Sequence, residues 1–233
     1  MIETTELNQT LLLDPRRKLE KMLDIAGVEY MESEIVSASI PPASLYITFG
    51  IGNCVSRELD IEIFPLGEIP KRAKIKVFVR PVVGETVGDW IPQGEFFIRT
   101  RQKDKRTGRL IITAFDAMLK AESVWLNSSY DKDTWPMTQA DAVEDIAHRM
   151  GVEVDNRTVL SNDFPVDYPI DEYGDLTMRE VLSGIAVSNA GNWRITDEGK
   201  LILIGASSIP EETSYLVSEY GSSITFGGVR ILV

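Results

Sequence analysis

The sequence has very little of the residues that usually bind metals or form disulfides. Its 233 residues include one cysteine, Cys54, and one histidine, His148. A single cysteine cannot form an intrachain disulfide, and these two side chains are too few for an ordinary zinc site. We therefore expect no metal site and no cofactor. Cys54 is interpreted as a small buried hydrophobic residue rather than a reactive thiol.

Long hydrophobic runs are also missing. No apolar run reaches the length of about 18 residues that a membrane-spanning helix needs. The first ten residues, MIETTELNQT, contain no basic region followed by an apolar stretch. The sequence therefore predicts neither membrane insertion nor a signal peptide, and we expect synthesis in the cytosol.

Positive charge is scarce. Lysine and arginine number 24 against 36 acidic residues, which gives a net charge of −12. Tight nucleic-acid binding requires basic residues that displace counterions from phosphates, so the charge argues against it. Basic residues concentrate between Lys103 and Arg109, in the run KDKRTGR. Its Thr-Gly pair favours a solvated hairpin tip, and the alternative is a phosphate-binding patch.

Sequence signatures of catalysis are weak. No GxSxG, GxGxxG or GKS/GKT motif is present. Pairs such as Asp141 with Asp145, or Asp171 with Glu172, could in principle act as acid and base in glycoside cleavage. Among 36 acidic residues such neighbours arise by chance. His148 is interpreted as a solvated or capping residue, and we expect no catalytic residue in the chain.

Three tryptophans leave a binding function open. Trp90 lies in the segment WIPQGEF, and Trp125 and Trp135 follow later in the chain. Aromatic side chains on loops could stack on sugars, as in a carbohydrate-binding module. Their spacing between strands favours a packing role in cores and turns.

Alternation of apolar and charged residues predicts antiparallel β structure in the first half. In residues 59–63 and 74–80, one face of each segment is apolar and the other is charged, which is typical of strands with one face in a core. Turn-forming residues separate further strand-like segments. Six short strands in this arrangement predict a barrel or a sandwich. The other predicted strands are residues 34–40, 44–49, 95–101 and 109–115.

The segment from Asp14 to Ala26 is ambiguous. Leu19, Met22 and Leu23 have helical spacing, whereas the Ala26-Gly27 pair would suit a hairpin turn. Both interpretations stay open from the residues alone.

Two amphipathic helices are predicted after residue 120. Thr138 can cap the first, which Gly151 would end. Thr177 begins the second, with Glu180 completing a capping box. Gly184, in the middle of the second helix, costs about 1 kcal/mol relative to alanine. We therefore expect that face to pack tightly against a strand or helix.

The last third of the chain has strand patterns. The apolar segments 193–196 and 201–204 flank the turn Asp197-Glu198-Gly199, which predicts a hairpin. Residues 223–233 are strand-like around the Gly227-Gly228 pair and end on Ile-Leu-Val.

Six motifs in a fixed order resemble the N-terminal part of phage and prophage tail hub proteins. This family includes tail-associated proteins of Firmicutes phages and, more remotely, the baseplate hub of contractile tails and the spike base of type VI secretion. The resemblance covers about residues 25–233. The motifs are GIGNCVSRELDIEI (50–63), WIPQGEFFI (90–98), LIITAFDAMLKAE (110–122), AVEDIAHRMGVEVD (142–155), LTMREVLSGIAVSNAGNWRI (176–195) and GKLILI (199–204).

The resemblance implies an α+β fold that is mainly β. It implies an antiparallel barrel-like domain at residues 1–120, completed by about 208–233, with an inserted α/β domain at 121–207. It implies strand, turn and strand for residues 14–30. Hub proteins usually continue beyond a strand like the one at residues 224–231, so a distal module is an open question.

The function implied by the resemblance is that of a structural hub in the virion tail. A homotrimeric ring would join the tail tube to the distal tip and contact the distal tail protein, the tape measure and the spike. A tail-tip enzyme or a carbohydrate-binding module acting on the host surface is the alternative. An acidic surface suits a conduit through which DNA slides without sticking, and it also promotes solubility.

The candidate interface is the terminal strand, represented by Gly228, Ile231 and Val233. A strand edge that ends in apolar residues at a chain terminus is sticky unless it is paired or covered in an oligomer. Burial of the same strand within its own domain is the alternative.

Overall fold

The structure is a computed structural model of the 233-residue chain. It describes residues 5–41, 50–125, 135–162, 164–167, 170–171, 174–205, 225–226 and 229–230.

Strands outnumber helices in the described chain. The helices are α1 (Glu6–Leu13), α2 (Gln139–Met150) and α3 (Met178–Ser188), with a 3₁₀ helix at Ala117–Glu122. The strands are β1 (Lys18–Ile25), β2 (Val28–Tyr30), β3 (Ile35–Ser39), β4 (Cys54–Val55), β5 (Glu58–Ile63), β6 (Lys74–Val83), β7 (Thr86–Val87), β8 (Ile91–Lys103), β9 (Leu110–Phe115), β10 (Ile170–Asp171), β11 (Gly174–Asp175), β12 (Gly191–Ile195), β13 (Leu201–Gly205), β14 (Thr225–Phe226) and β15 (Val229–Arg230).

An eight-stranded antiparallel sheet forms the larger part of the fold. Its strand order is β2-β1-β6-β8-β9-β5-β3, with β7 paired to β6, and the sheet is curved into a nearly closed barrel. Alternate residues of β5 and β9 and of the first half of β6 point inward, as the sequence pattern predicts for residues 59–63 and 74–80. The fully buried inward side chains include Leu23, Leu59, Ile63, Ile75, Phe96 and Ile112. The predicted α+β, mainly β, barrel-like class is confirmed.

A positive-φ turn resolves the ambiguity of residues 14–26 in favour of a hairpin. Ala26 and Gly27 have φ values of 54° and 86° and connect β1 to β2. Two successive positive φ values match the twist of a tight hairpin. The Asp24 carboxylate accepts a hydrogen bond from the Gly27 N–H at 2.7 Å. The helical spacing of residues 19–23 is overridden because β1 pairs along its whole length with β6.

Helix α1 is a feature that the sequence patterns did not predict. The Thr5 hydroxyl caps it by accepting from the Asn8 N–H at 3.3 Å. Asn8 is 2% exposed. Its side-chain amide donates a hydrogen bond to the Asp89 carbonyl and accepts one from the Asp89 N–H. The helix is therefore anchored to the loop between β7 and β8 by a polar contact, for which hydrophobic periodicity gives no signal.

Strand β8 begins earlier than predicted. Its first residue is Ile91, whereas the predicted strand covers residues 95–101. A register shift between Val77 and Phe78 on β6 lies opposite Gly94. Gly94 has a φ of 132°, and a Cβ there would lie 2.6 Å from the Arg57 guanidinium, so the position requires glycine.

The second core lies between α2, α3, the 3₁₀ helix and a three-stranded sheet of order β13-β12-β4. Both predicted helices are confirmed with their caps: Thr138 and Gly151 bound α2, and Thr177 with Glu180 forms a capping box on α3. The predicted hairpin is present as β12 and β13.

One pairing in this second sheet is parallel. Strand β4 pairs with β12, with Cys54 opposite Trp193. Strand β4 lies between the barrel strands β3 and β5 in sequence, but it adds to a sheet whose other two strands come late in the chain. The second core therefore contains residues from both halves of the chain. A division into two folding domains near residue 120 stays a prediction.

We predict that substitutions at adjacent positions of β9 separate core from surface. Ile112 is fully buried and Ile111 is 47% exposed. Ile112→Ala should lower the free energy of unfolding by about 2–5 kcal/mol because it leaves a cavity. Ile111→Ala should change it by less than about 1 kcal/mol. Urea unfolding of both variants measures this, and equal losses would contradict the register of β9.

Candidate interaction surfaces

The predicted interface residues Gly228, Ile231 and Val233 lie outside the described residues. The backbone nearby is described for β14 and β15, which pair antiparallel with Thr225 opposite Arg230. The strand character predicted around the Gly227-Gly228 pair is present in these two short strands. The interface assignment itself stays a prediction.

The acidic residues considered for catalysis have structural contacts. The Asp145 carboxylate accepts from the Trp125 indole N–H and from the Arg149 Nε, both at 2.7 Å. Asp141 accepts from the hydroxyl of the α2 N-cap residue, Thr138. His148 is exposed near the end of α2. Of the other pair, the structure describes only the backbone of Asp171, in β10, and Glu172 lies outside the described residues.

Cys54 is buried as predicted. It is 8% exposed in the second core. Its Sγ lies 3.6 Å from the backbone oxygen of Arg179 and 3.6 Å from the Ser183 hydroxyl. Burial raises the pKa of the thiol, which keeps it protonated and unreactive.

The tryptophans have packing roles, as their spacing predicts. Trp125 is 2% exposed and meets Trp135 edge to face, with ring centroids 5.4 Å apart. Trp90 is half-buried, and the Arg80 guanidinium lies 4.3 Å above its ring. Trp125 is therefore part of the core, and Arg80 covers one face of the Trp90 ring.

Arg57 and Asp116 join the barrel to the second core. Asp116 is fully buried at the end of β9, and its carboxylate accepts from the Ser56 hydroxyl, the Arg57 N–H and the Met118 N–H at 2.9–3.1 Å. The Arg57 side chain crosses to the β12–β13 turn, where it forms an ion pair with Asp197. Its guanidinium also donates to the Gln93 carbonyl of β8 at 3.2 Å.

The environment of Asp116 has opposing effects on its pKa. Burial raises the pKa of the carboxyl, and the three donors and the nearby Arg57 guanidinium lower it. The raising effect dominates, so ionising this carboxyl is less favourable than ionising an exposed one, and its three hydrogen bonds offset part of that cost. Asp116 is also the N-cap residue of the 3₁₀ helix, whose buried side chains are part of the second core.

A groove of about 390 Å³ lies along α3. Phe164, Val166, Val181 and Gly184 are among the residues that line it. The expected close packing at Gly184 is wrong: a Cβ there would meet no atom within 4 Å among the described residues. The tight contact is instead at Gly52, where an added Cβ would clash with the Val187 side chain of α3.

A larger cleft of about 770 Å³ separates the barrel from the 3₁₀ helix. We call it the cationic cleft, defined by the basic residues Lys71, Arg72, Arg99 and Lys120, which line it together with Phe97, Ile98, Leu119 and Ser123. Lys71 and Arg72 are exposed at the turn before β6, Arg99 is exposed on β8, and Lys120 is half-buried.

Lys120 is held in place at the base of the cationic cleft. Its ammonium group donates to the Met150 carbonyl at 2.7 Å and lies 4.0 Å from the centre of the Phe97 ring. Burial, and secondarily the positive charge of Lys74, lowers the pKa of Lys120. Arg99 stacks over Phe115 at 5.4 Å. The cleft thus combines two cations held by contacts, Lys120 and Arg99, and two exposed ones, Lys71 and Arg72, with an apolar floor.

The sequence patterns did not predict this cluster. The run PKRAKIK at residues 70–76 is as basic as the predicted hairpin tip, which is confirmed as the turn between β8 and β9. The local density of basic residues in the sequence could have identified Lys71 and Arg72 as part of a cationic surface. Arg99 and Lys120 are brought to them only by the fold.

Within the described ranges, no three His, Cys, Asp or Glu side chains are grouped so that they could hold a metal ion. Among the helices that the structure describes, none has both the length and the apolar character needed to cross a bilayer.

We predict that Asp116→Ala destabilises the protein by about 2–4 kcal/mol. The substitution leaves the Ser56 hydroxyl and two backbone N–H groups buried without their acceptor, and it removes a charge partner of Arg57. Chemical denaturation measures the loss. Glu198→Ala, at an exposed turn position, is the control and should change stability by less than about 0.5 kcal/mol. Similar values for both variants would contradict a structural role for Asp116.

Comparisons with known proteins show likeness in structure only. No protein-family model matches the chain, and no curated protein sequence matches it. The chain is similar to the 43 kDa tail protein of prophage MuSo2 from Shewanella oneidensis, with a TM-score of 0.54 and 14% identity over 90% of this chain and 61% of that one. It is also similar to a tail protein from Neisseria meningitidis MC58, with a TM-score of 0.54 and 16% identity over 85% of this chain and 54% of that one. The chain therefore spans just over half the length of these tail proteins. It has the fold of prophage tail proteins.

Proposed function

We propose that the chain is a structural protein of a phage or prophage tail and forms the hub ring that joins the tail tube to the distal tip. The observation that carries this proposal is the likeness of the whole described fold to two prophage tail proteins. In this role the protein acts in the virion tail, as a homotrimer, and contacts the distal tail protein, the tape measure and the spike. Residues 1–120 with 208–233 would form the ring domain, and residues 121–207 the inserted domain.

The edges of the barrel support assembly with other copies. Strands β2 and β3 stand at the two ends of the strand order, and each has one neighbour in the described sheet. An unpaired edge promotes association unless it is covered. Contacts between copies in a ring would cover such edges and those of the terminal segment.

The net charge supports passage of DNA through such a ring. A charge of −12 disfavours lasting contacts with phosphates, because few basic residues are available to replace counterions. A lumen of this character would let DNA move without being held.

We expect the purified protein to assemble as a trimer that depends on its terminal segment. Ile231→Asp and Val233→Asp should give a folded protein that no longer assembles, if these residues form an interface. Sedimentation equilibrium measures the mass, and thermal unfolding across protein concentrations tests the link between assembly and stability. A wild type that remains monomeric contradicts the ring. Variants that melt earlier at every concentration, with a wild type whose unfolding is independent of concentration, contradict the interface assignment alone.

We expect no turnover of peptidoglycan, polysaccharide or peptide substrates. The carboxylates of Asp141 and Asp145 have structural hydrogen bonds. Product release is assayed with the wild type and with the alanine variant at each position. Turnover above background that one of these variants abolishes would favour the alternative, a tail-tip enzyme.

A further inference from the structure

We propose that the cationic cleft binds a carboxylate-bearing strand surface of a second copy of this chain. The inference rests on the proposed ring and identifies one of its contacts. The partner surface is the outward face of β5, which carries Glu58, Asp60 and Glu62.

The charge of the cleft is not compensated within the described structure. Lys71, Arg72, Arg99 and Lys120 form no ion pair with any residue in the described ranges. The acidic residues on the same elements are engaged by other cations. Glu95 of β8 pairs with Lys74 and Lys76, and Glu122 of the 3₁₀ helix pairs with Arg179. Four uncompensated cations in one cleft are unexpected in a chain with 12 more acids than bases.

The apolar floor of the cleft favours a protein partner over nucleic acid. Single-stranded nucleic acids use exposed aromatic faces for base stacking. The Phe97 ring is covered by the Lys120 ammonium and the Phe115 ring by the Arg99 guanidinium. Glutamate side chains bring both a carboxylate and an aliphatic stem, which matches fixed cations beside Leu119.

Strand β5 carries carboxylates in a suitable arrangement. Glu58, Asp60 and Glu62 alternate with buried residues and so share the outward face. Carboxylates two residues apart on a strand repeat about every 6.6 Å. Their neighbours on β3 include Ser37 opposite Glu62 and Ser39 opposite Asp60, which carry no charge.

Only part of this carboxylate row is neutralised within the chain. Glu62 pairs with Arg109, and Asp60 accepts a hydrogen bond from the Thr113 hydroxyl. Glu58 and Asp60 have no cation partner among the described residues. They are therefore available to the cations of another copy.

A second copy is the occupant because one chain carries both complementary surfaces. An interface between copies can join two different patches of the same sequence. The cleft and the β5 face are oppositely charged neighbours on the outward side of one sheet, where Glu58 is opposite Phe115 and Arg99 stacks over Phe115. Their attraction is local, whereas the net charges of two copies repel each other, so the contact also sets the orientation in which copies meet.

The experiment compares charge reversals at two basic sites. Lys71→Glu with Arg72→Glu alters the cleft. Lys105→Glu with Arg106→Glu makes the same change in net charge at the exposed β8–β9 turn and serves as the control. Sedimentation velocity should show that the cleft variant self-associates on the order of tenfold more weakly than the control. This is the loss of affinity expected when a few exposed ion pairs are removed. Circular dichroism checks that both variants are folded.

A charge-swap mixture identifies the partner surface. Glu58→Lys with Asp60→Lys should weaken self-association on its own. Mixing this variant with the cleft variant should restore a mixed complex, because the reversed cleft then faces a reversed β5. Failure of the mixture to associate would overturn the assignment of β5 as the partner.

The remaining outcomes separate this inference from the ring. Equal self-association of the cleft and control variants overturns the inference and leaves the ring intact. A complex of two copies that is lost in the cleft variant supports the inference and contradicts the trimer. A wild type that does not associate overturns both. If the cleft variant loses affinity for a single-stranded DNA oligonucleotide while self-association is unchanged, the cleft is a nucleic-acid site and the inference is wrong.

Discussion

The buried carboxylate of Asp116 is the contact on which the arrangement of the two cores depends. It lies where β9 leaves the barrel and the 3₁₀ helix of the second core begins. A buried charge is tolerated when it is hydrogen-bonded and lies near an opposite charge. Here three donors bond the carboxylate, and the Arg57 Nε lies 3.9 Å from it. Because two of those donors belong to Ser56 and Arg57, the same carboxylate fixes the chain between β4 and β5. Gly94 is then required, since any side chain there would displace Arg57.

The parts of the fold that sequence could predict are those governed by local periodicity and capping. The alternation around Leu59 and the capping box at Thr177 have a direct physical cause and appear as predicted. Features that depend on distant partners were missed. Helix α1 is anchored by Asn8 to a loop some eighty residues away, and β4 joins a sheet formed at the other end of the chain. Gly184 shows that a helix glycine can face open space, because the close approach occurs at Gly52 instead.

The candidate interaction surfaces also contain residues that the sequence could indicate and residues that only the fold brings together. A basic run at residues 70–76 is visible in the sequence, but its significance is not, because exposed lysines usually are solvated. Arg99 and Lys120 join it through the packing of β8 and the 3₁₀ helix. Apolar character at the chain terminus suggested Ile231 and Val233, and that suggestion depends on residues outside the described ranges. Amino-acid composition alone cannot show which of the two surfaces is the stronger interface, because the cationic cleft depends on charge and the terminal segment depends on burial of apolar side chains.

For a strongly acidic protein to self-associate, a local region of positive charge must offset the repulsion between the copies. Two copies that each carry −12 repel at distances up to a Debye length of about 10 Å at moderate salt. Nonspecific contacts between them are therefore disfavoured in most orientations. In the proposed contact, the cationic cleft changes this balance at one place, because its four cations would face acidic side chains of the other copy at short range. In the proposed ring, the acidity that lets DNA pass also suppresses wrong contacts between subunits, and the cleft selects the one orientation in which the copies attract.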